Sequence, residues 1–170
     1  ILDPLPDDTL VLQEVIHGDG EPIQPSEYLD DNRPDRAVFD FQYAWGLVQS
    51  VGSGHLEELL APRASGLPAA SSVLFVTNHD TERNGQTLRY QNGATFELAT
   101  ILMLAGQDGR PMVYSGYAFA DRDAGPPQDA DGAVLDAACT GQESTSEPYE
   151  PGAWVCEHRW PRIEAMVGWR

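Results

Sequence analysis

Short apolar runs of strand length, each opening into a polar loop, constrain this chain more than any other feature. The first is Thr9-Leu10-Val11-Leu12-Gln13-Glu14-Val15-Ile16, entered through Pro4 and Pro6 and left through Gly18-Asp19-Gly20. The second is Val73-Leu74-Phe75-Val76-Thr77-Asn78, ending in His79-Asp80, and the third covers residues 111–115. Between the first two, Ala37-Val38-Phe39 predicts a short strand, residues 41–51 a helix, and residues 56–60 a helical turn stopped by Pro62. Residues 95–105 predict the clearest helix, closed by Gly106 and Gly109. After a long acidic loop rich in Gly and Pro, residues 157–169 predict an amphipathic closing helix. Runs apolar on both faces suit buried parallel strands better than half-wet antiparallel ones. Strands alternating with helices read as β/α units with right-handed crossovers, an α/β architecture. No internal repeat interrupts this order.

In barrels of that class the chemistry sits at the C-terminal ends of the strands. Two acids, Glu14 and Asp80, stand at or near such ends. Glu14 lies within an apolar run, which predicts burial, and burial is how a glutamate becomes a proton donor near neutral pH. The structural alternative is a glutamate paired with an arginine. Asp80 closes an Asn-His-Asp triplet, and such residues also serve simply as caps and turns. His79 reads either as a hydroxyl- or metal-binding group or as an ordinary surface imidazole. Two carboxylates at strand ends suit glycoside hydrolysis, which needs an acid and a second carboxylate across the scissile bond. They suit metal-assisted hydrolysis equally, but the His, Asp and Glu spacing matches no metal signature. No GxSxG elbow, CxxC pair or GxxxxGK[ST] phosphate loop occurs. Trp45, Trp154, Trp160 and Trp169 could stack on sugar faces, although a helical Trp more often belongs to a core.

Charge narrows the partners. The 170 residues hold 27 acids against 10 basic residues, a formal charge of −17, and every basic residue is Arg. That balance argues against nucleic acid and against anionic membranes, both of which need clustered positive charge. Apolar residues at 41% and aromatics at 9% are globular values, and the length suffices to bury a substantial core. The longest apolar stretch, residues 98–105, is far short of the ~18 residues that a membrane span needs. Ile1 is not Met and no charged-then-apolar signal opens the chain, so it reads as a processed product or a fragment. Cys139 and Cys156 form either one disulfide or two reduced core thiols. A bridge would close a loop of Gly, Pro, Ser and acids, worth about 3 kcal/mol, and would imply an oxidising compartment.

Several motifs in order resemble one family. Gln13-Glu14-Val15-Ile16 is similar to the fifth-strand motif of the α-amylases, and Phe75-Val76-Thr77-Asn78-His79-Asp80 to their seventh-strand motif. Gly109-x-Pro111-x-x-Tyr114-x-Gly116 resembles the eighth-strand motif. Cys156-Glu157-His158-Arg159-Trp160, followed by Met166-Val167, resembles the last barrel helix of the animal and actinobacterial type. The stretches Gly20-Glu21-Pro22-Ile23, Ser26-Glu27-Tyr28 and Asp80-Thr81-Glu82-Arg83-Asn84-Gly85 agree as well, so the likeness runs along essentially the whole chain.

The resemblance implies the second half of a (β/α)8 barrel, about strands 5–8 with their helices, in one partial catalytic domain spanning residues 1–170. The first four strands, the inserted calcium-binding domain, most calcium ligands and the C-terminal sheet domain would lie outside it. It implies a secreted enzyme, monomeric at full length, that cleaves α-1,4-glucosidic bonds inside α-glucans such as starch with retention of configuration. Glu14 becomes the general acid/base and Asp80 the second carboxylate that stabilises the transition state. His79 would hydrogen-bond sugar hydroxyls, while Glu21, Ile16 and His17 would line the leaving-group side. The nucleophilic Asp of the fourth strand would precede Ile1, so the isolated chain should be inactive. Thr77 stands where the family usually has Asp, which should alter the support of that strand tip. Many relatives bind chloride through the Asn at position 78 and a basic residue on the eighth strand; Met112 falls at the expected basic position, which argues against chloride. The interval between Cys139 and Cys156 is longer than the family's usual one. A non-catalytic malto-oligosaccharide-binding remnant and another clan member, an α-glucosidase or transglycosylase, are the alternative readings.

Overall fold

The computed structural model describes residues 5–6, 9–29, 36–60, 65–139 and 148–170. Pro4, Pro62 and residues 140–147 of the loop between the cysteines fall outside these residues. The chain divides into two compact units. The first runs to Phe75 and includes Gly106–Met112; the second takes in Val76–Ala105 and Val113–Arg170.

The first unit is a four-stranded parallel sheet in sequence order, β1 (Val11–Gln13), β2 (Arg36–Phe39), β3 (Ser72–Leu74) and β4 (Arg110–Pro111). All three pairings are parallel, with Val11 opposite Arg36, Val38 opposite Ser72 and Val73 opposite Arg110. The strands lie where the sequence predicted them, but β1, β3 and β4 are shorter than their apolar runs, while β2 gains Arg36. Residues 75–78 leave the ladder after Leu74, and only the first residue of the third run, Pro111, is in a strand. A proline lacks the N–H that a central strand needs, so Pro111 suits the sheet edge that β4 forms.

Helix α1 (Phe41–Ser53) follows β2 directly. Asp40, fully buried at the junction, accepts from the Tyr43 N–H at 3.2 Å and from Ser72 Oγ at 3.0 Å, tying helix start to β3. Gly54, at φ 79°, supplies the left-handed residue that ends the helix. The core here gathers Phe41, Ala44 and Phe75 with Phe39, Trp45 and Met112. Phe75 meets Phe41 edge-on at 5.1 Å and Phe39 at 5.7 Å. Gly109 sits at φ 106°, and a Cβ there would stand 2.8 Å from Leu74 Cγ and 2.9 Å from the Ser72 carbonyl, so β4 can approach β3 only through glycine.

In the second unit, α2 (Thr81–Asn84) is a single turn inside the expected polar loop, and α3 (Ala94–Ala105) begins one residue before its predicted start. The predicted closing helix is broken. Residues Glu157–Arg159 form a 3-10 turn, and α4 (Pro161–Trp169) starts at Pro161, whose fixed φ favours a first helical position. α3 and α4 pack through Phe96 against the fully buried Trp160, with ring centroids 5.6 Å apart. Arg162 and Glu97 pair at 2.7 Å. Of the four tryptophans, Trp160 is core, while Trp169 is 65% exposed. Cys139 and Cys156 are joined in a disulfide, their Cα atoms 5.7 Å apart. No helix among the described residues is long and apolar enough to cross a membrane.

Candidate functional site

Within the first unit, Glu14 is the residue that follows β1, and Ile16, His17 and Glu21 lie on the segment beyond it. Glu14, Ile16 and Glu21 are exposed. The predicted burial of Glu14 is therefore corrected. β1 is an edge strand whose partner is β2, and Leu10 and Ile16 are each 57% exposed beside it. Sequence reasoning took a run apolar on both faces as a buried strand, and the described residues cover only part of that surface.

The segment turns back on itself. Gln24 Nε2 donates to the carbonyls of Gly18 and Glu21, at 3.2 and 2.8 Å, and its backbone N–H reaches Glu27 Oε2 at 2.7 Å. Gln13 Nε2 donates to the Tyr28 carbonyl at 3.1 Å, fastening the return of the loop to the strand. His17 Nε2 lies 3.3 Å from Asp19 Oδ1.

In the second unit, Asn78, His79 and Asp80 occupy one turn. Asn78 is buried and its Oδ1 accepts from Asp80 N at 3.1 Å, Thr81 N at 2.8 Å and Thr81 Oγ1 at 2.9 Å. Asp80 is the N-cap residue of α2, and its side chain is not used in capping. The turn thus holds its shape through Asn78, which leaves the Asp80 and His79 side chains exposed. Thr77, the departure from the family pattern, is buried and receives a hydrogen bond from Thr87 Oγ1 at 3.1 Å, with Thr81 Oγ1 3.5 Å away. Three hydroxyls therefore support this turn from below.

Sequence reasoning missed a second acidic pair in the same unit. Glu82, in α2, is 1% exposed and Glu157 is fully buried. Glu157 Oε2 accepts from Ser115 Oγ at 2.8 Å and from Gly116 N at 3.3 Å. A Cβ on Gly116 would lie 3.2 Å from Glu82 Oε2 and 3.0 Å from the Tyr114 hydroxyl, so both carboxyl groups converge on that glycine. Burial pushes Glu82 up to about 8, helped by the Glu157 charge and opposed by Arg83 and Arg89. Burial also raises Glu157, to about 7, against the lowering effect of its hydrogen bonds. Tyr114 is raised to about 12, first by burial and then by both glutamates. No single-residue signal marks this pair, since its members are brought together only by the fold.

Arg83 closes the surroundings of α2. It donates to the carbonyls of Arg122 and Ala124 and lies 4.6 Å over the Phe119 ring. Arg89 Nη1 donates to the Glu82 carbonyl at 2.8 Å.

Met112, at the position expected to be basic in chloride-binding relatives, packs against the Phe41 and Phe75 core. Among the described residues, no three His, Cys, Asp or Glu side chains gather as a metal site would require. The calcium that the resemblance implies would be held mostly by residues outside this segment.

No family model matches the chain. It is, however, 40% identical over 159 residues to an α-amylase of Streptomyces violaceus, an alignment that covers 92% of this chain and 25% of the relative. It is 34% identical over 165 residues to the α-amylase of Tenebrio molitor, covering 94% of this chain and 33% of that protein. The crystal structure of α-amylase I from Eisenia fetida superposes with a TM-score of 0.72 at 25% identity, over 92% of this chain and 33% of that one. A second structure of that enzyme, a mutant in complex with maltohexaose, matches with the same score at 24% identity. The four-stranded parallel sheet is thus a part of the α-amylase architecture. The chain belongs to the α-amylase family and spans a quarter to a third of the length of these relatives.

Proposed function

We propose that this chain supplies the acid/base and the stabilising carboxylate of an enzyme that cleaves α-1,4-glucosidic bonds within α-glucans, with retention of configuration. The observation that carries the reading is the likeness to bacterial and insect α-amylases along nearly the whole chain, with Glu14 and Asp80 both following strands of one parallel sheet in chain order. In this reading the four strands are the fifth to eighth of a (β/α)8 barrel. The maltohexaose bound by the Eisenia fetida enzyme supports a malto-oligosaccharide as substrate. The disulfide supports a secreted protein.

Glu14 would protonate the leaving glycosidic oxygen and later activate water at the same place. A glutamate does this near neutral pH only when sheltered from water. The shelter for Glu14, now exposed, would come from the barrel strand beside β1 and from bound glucan. Asp80 would stabilise the positive charge that grows on the sugar ring, with His79 hydrogen-bonding hydroxyls beside the cleaved bond. Ile16, His17 and Glu21 would line the leaving-group side. The nucleophile would come from the part of the enzyme that precedes this segment, together with the calcium-binding domain.

A segment exchange tests the reading. This chain replaces the matching segment of the Streptomyces violaceus enzyme, and starch hydrolysis is followed by reducing ends. The exchange should be active, and Glu14→Gln or Asp80→Asn should each abolish activity while the protein stays folded. The isolated chain should release no reducing ends. Undiminished hydrolysis by both variants would remove the assignment.

A further inference from the structure

We propose that Glu82 and Glu157 form a buried carboxyl pair that carries at most one negative charge, and that the second ionisation releases the turn bearing His79 and Asp80. The geometry makes the charges unequal. Glu157 Oε2 has two donors, Ser115 Oγ and the Gly116 N–H. Glu82 has none from its own neighbours, because Arg83 is committed to two backbone carbonyls and to the Tyr117 and Phe119 rings, and Arg89 to the Glu82 carbonyl. Oε1 of each glutamate is buried without a hydrogen-bond partner. The Tyr114 and Tyr90 phenols are the other titratable groups beside the pair, and both are held above their usual range by burial and by these same carboxylates. Glu157 therefore ionises first, and its charge then disfavours a second one on Glu82.

Glu82 is 1% exposed, and its main chain is held on both sides. Its N–H donates to the Asn78 carbonyl at 3.1 Å, and its own carbonyl is held by Arg89. Exposing a charged Glu82 means opening α2, whose N-cap is Asp80. The proton lost goes to solvent, and the turn loses its fixed shape.

The direction with pH follows from the proton balance. Between the ordinary carboxylate range and about 7 the folded chain keeps on Glu157 and Glu82 two protons that the unfolded chain has released, and from about 7 to about 8 it keeps the one on Glu82. Stability is therefore whole below the ordinary range and is lost as pH rises toward about 8. Any consequence for hydrolysis rests on the function proposed above, an alkaline limit set by Glu82 rather than by Glu14.

The test needs no turnover. Thermal unfolding of the 170-residue chain is compared at about pH 6 and about pH 8.5 for wild type, Glu82→Gln and Glu157→Gln. The wild-type midpoint should fall by about 5 °C or more, and Glu82→Gln should fall by less than half as much. Infrared spectra of the wild type should show a carboxylic-acid C=O band that survives at about pH 6.5, disappears by about pH 9, and is weaker in Glu82→Gln. If Glu82→Gln does not fold, the wild-type band and the Glu157→Gln curve decide. A parallel fall in wild type and Glu82→Gln overturns the proposal, as does the absence of the acid band. So does a midpoint at about pH 8.5 that rises with millimolar calcium in wild type alone, which would make the pair a cation site. An inactive segment exchange with the acid band present would count against the catalytic reading and leave the pair standing.

Discussion

The two segments that carry the candidate acids are built in opposite ways. The turn after β3 is held from inside. Asn78 collects three donors at one oxygen, Thr77, Thr81 and Thr87 pack their hydroxyls beneath it, and Glu82 is sealed in the next turn. The segment after β1 is held mainly by side-chain contacts to backbone carbonyls at the surface, from Gln24 and Gln13, with Glu14, Ile16 and Glu21 exposed. One region fixes the geometry of its acid without help. The other leaves its carboxylate exposed among the described residues. In a hydrolytic site a stabilising carboxylate must be preorganised while a proton donor must be desolvated.

Substitutions that act on catalysis sharpen the contrast most. In the segment exchange, Glu14→Gln and Asp80→Asn should each lower kcat on starch by roughly 10²–10⁴-fold, read by reducing-end release, with unfolding midpoints near the parent's. The next effect is on stability. Asn78→Ala strips the buried turn of its acceptor and should cost about 2–3 kcal/mol in urea unfolding. Gln24→Ala, its counterpart in the β1 segment, should cost about 1 kcal/mol or less in the same measurement, because water can replace its contacts. An equal loss at the two positions would erase the difference between the regions. Smaller again is Thr87→Val, which removes one hydroxyl from the trio and should cost about 1 kcal/mol. Glu14→Ala should shift stability of the isolated chain by no more than about 0.5 kcal/mol, as expected for an exposed side chain.

The sequence carried the strand order well, because period and punctuation are local. Gly106 follows the real end of α3, whereas β1 ends five residues before Gly18, and the Asp40 cap fixes the start of α1 where the apolar pattern placed it. Strand length was less legible. Residues 75–78 are as apolar as a strand, yet they leave the ladder, since Asn78 and Thr81 offer the backbone another set of partners. Pro161 broke a helix that the amphipathic pattern ran straight through. Glu14 misled because an apolar run shows only that its surface is meant to be covered, and says nothing of which chain covers it. Sequence shows Glu82 and Glu157 only inside two separate motifs, with nothing to mark them as a pair. Each looks like an ordinary surface glutamate until the fold places both against Gly116.

Leaving-group chemistry separates a Glu14 that gives a proton from an Asp80 that does not. In the segment exchange, Glu14→Gln and Asp80→Asn are assayed on starch and on α-maltotriosyl fluoride, whose fluoride departs without protonation. Glu14→Gln, dead on starch, should still release a burst of fluoride, while Asp80→Asn should be impaired on both substrates. Equal losses by Glu14→Gln on the two substrates would contradict a proton-giving Glu14.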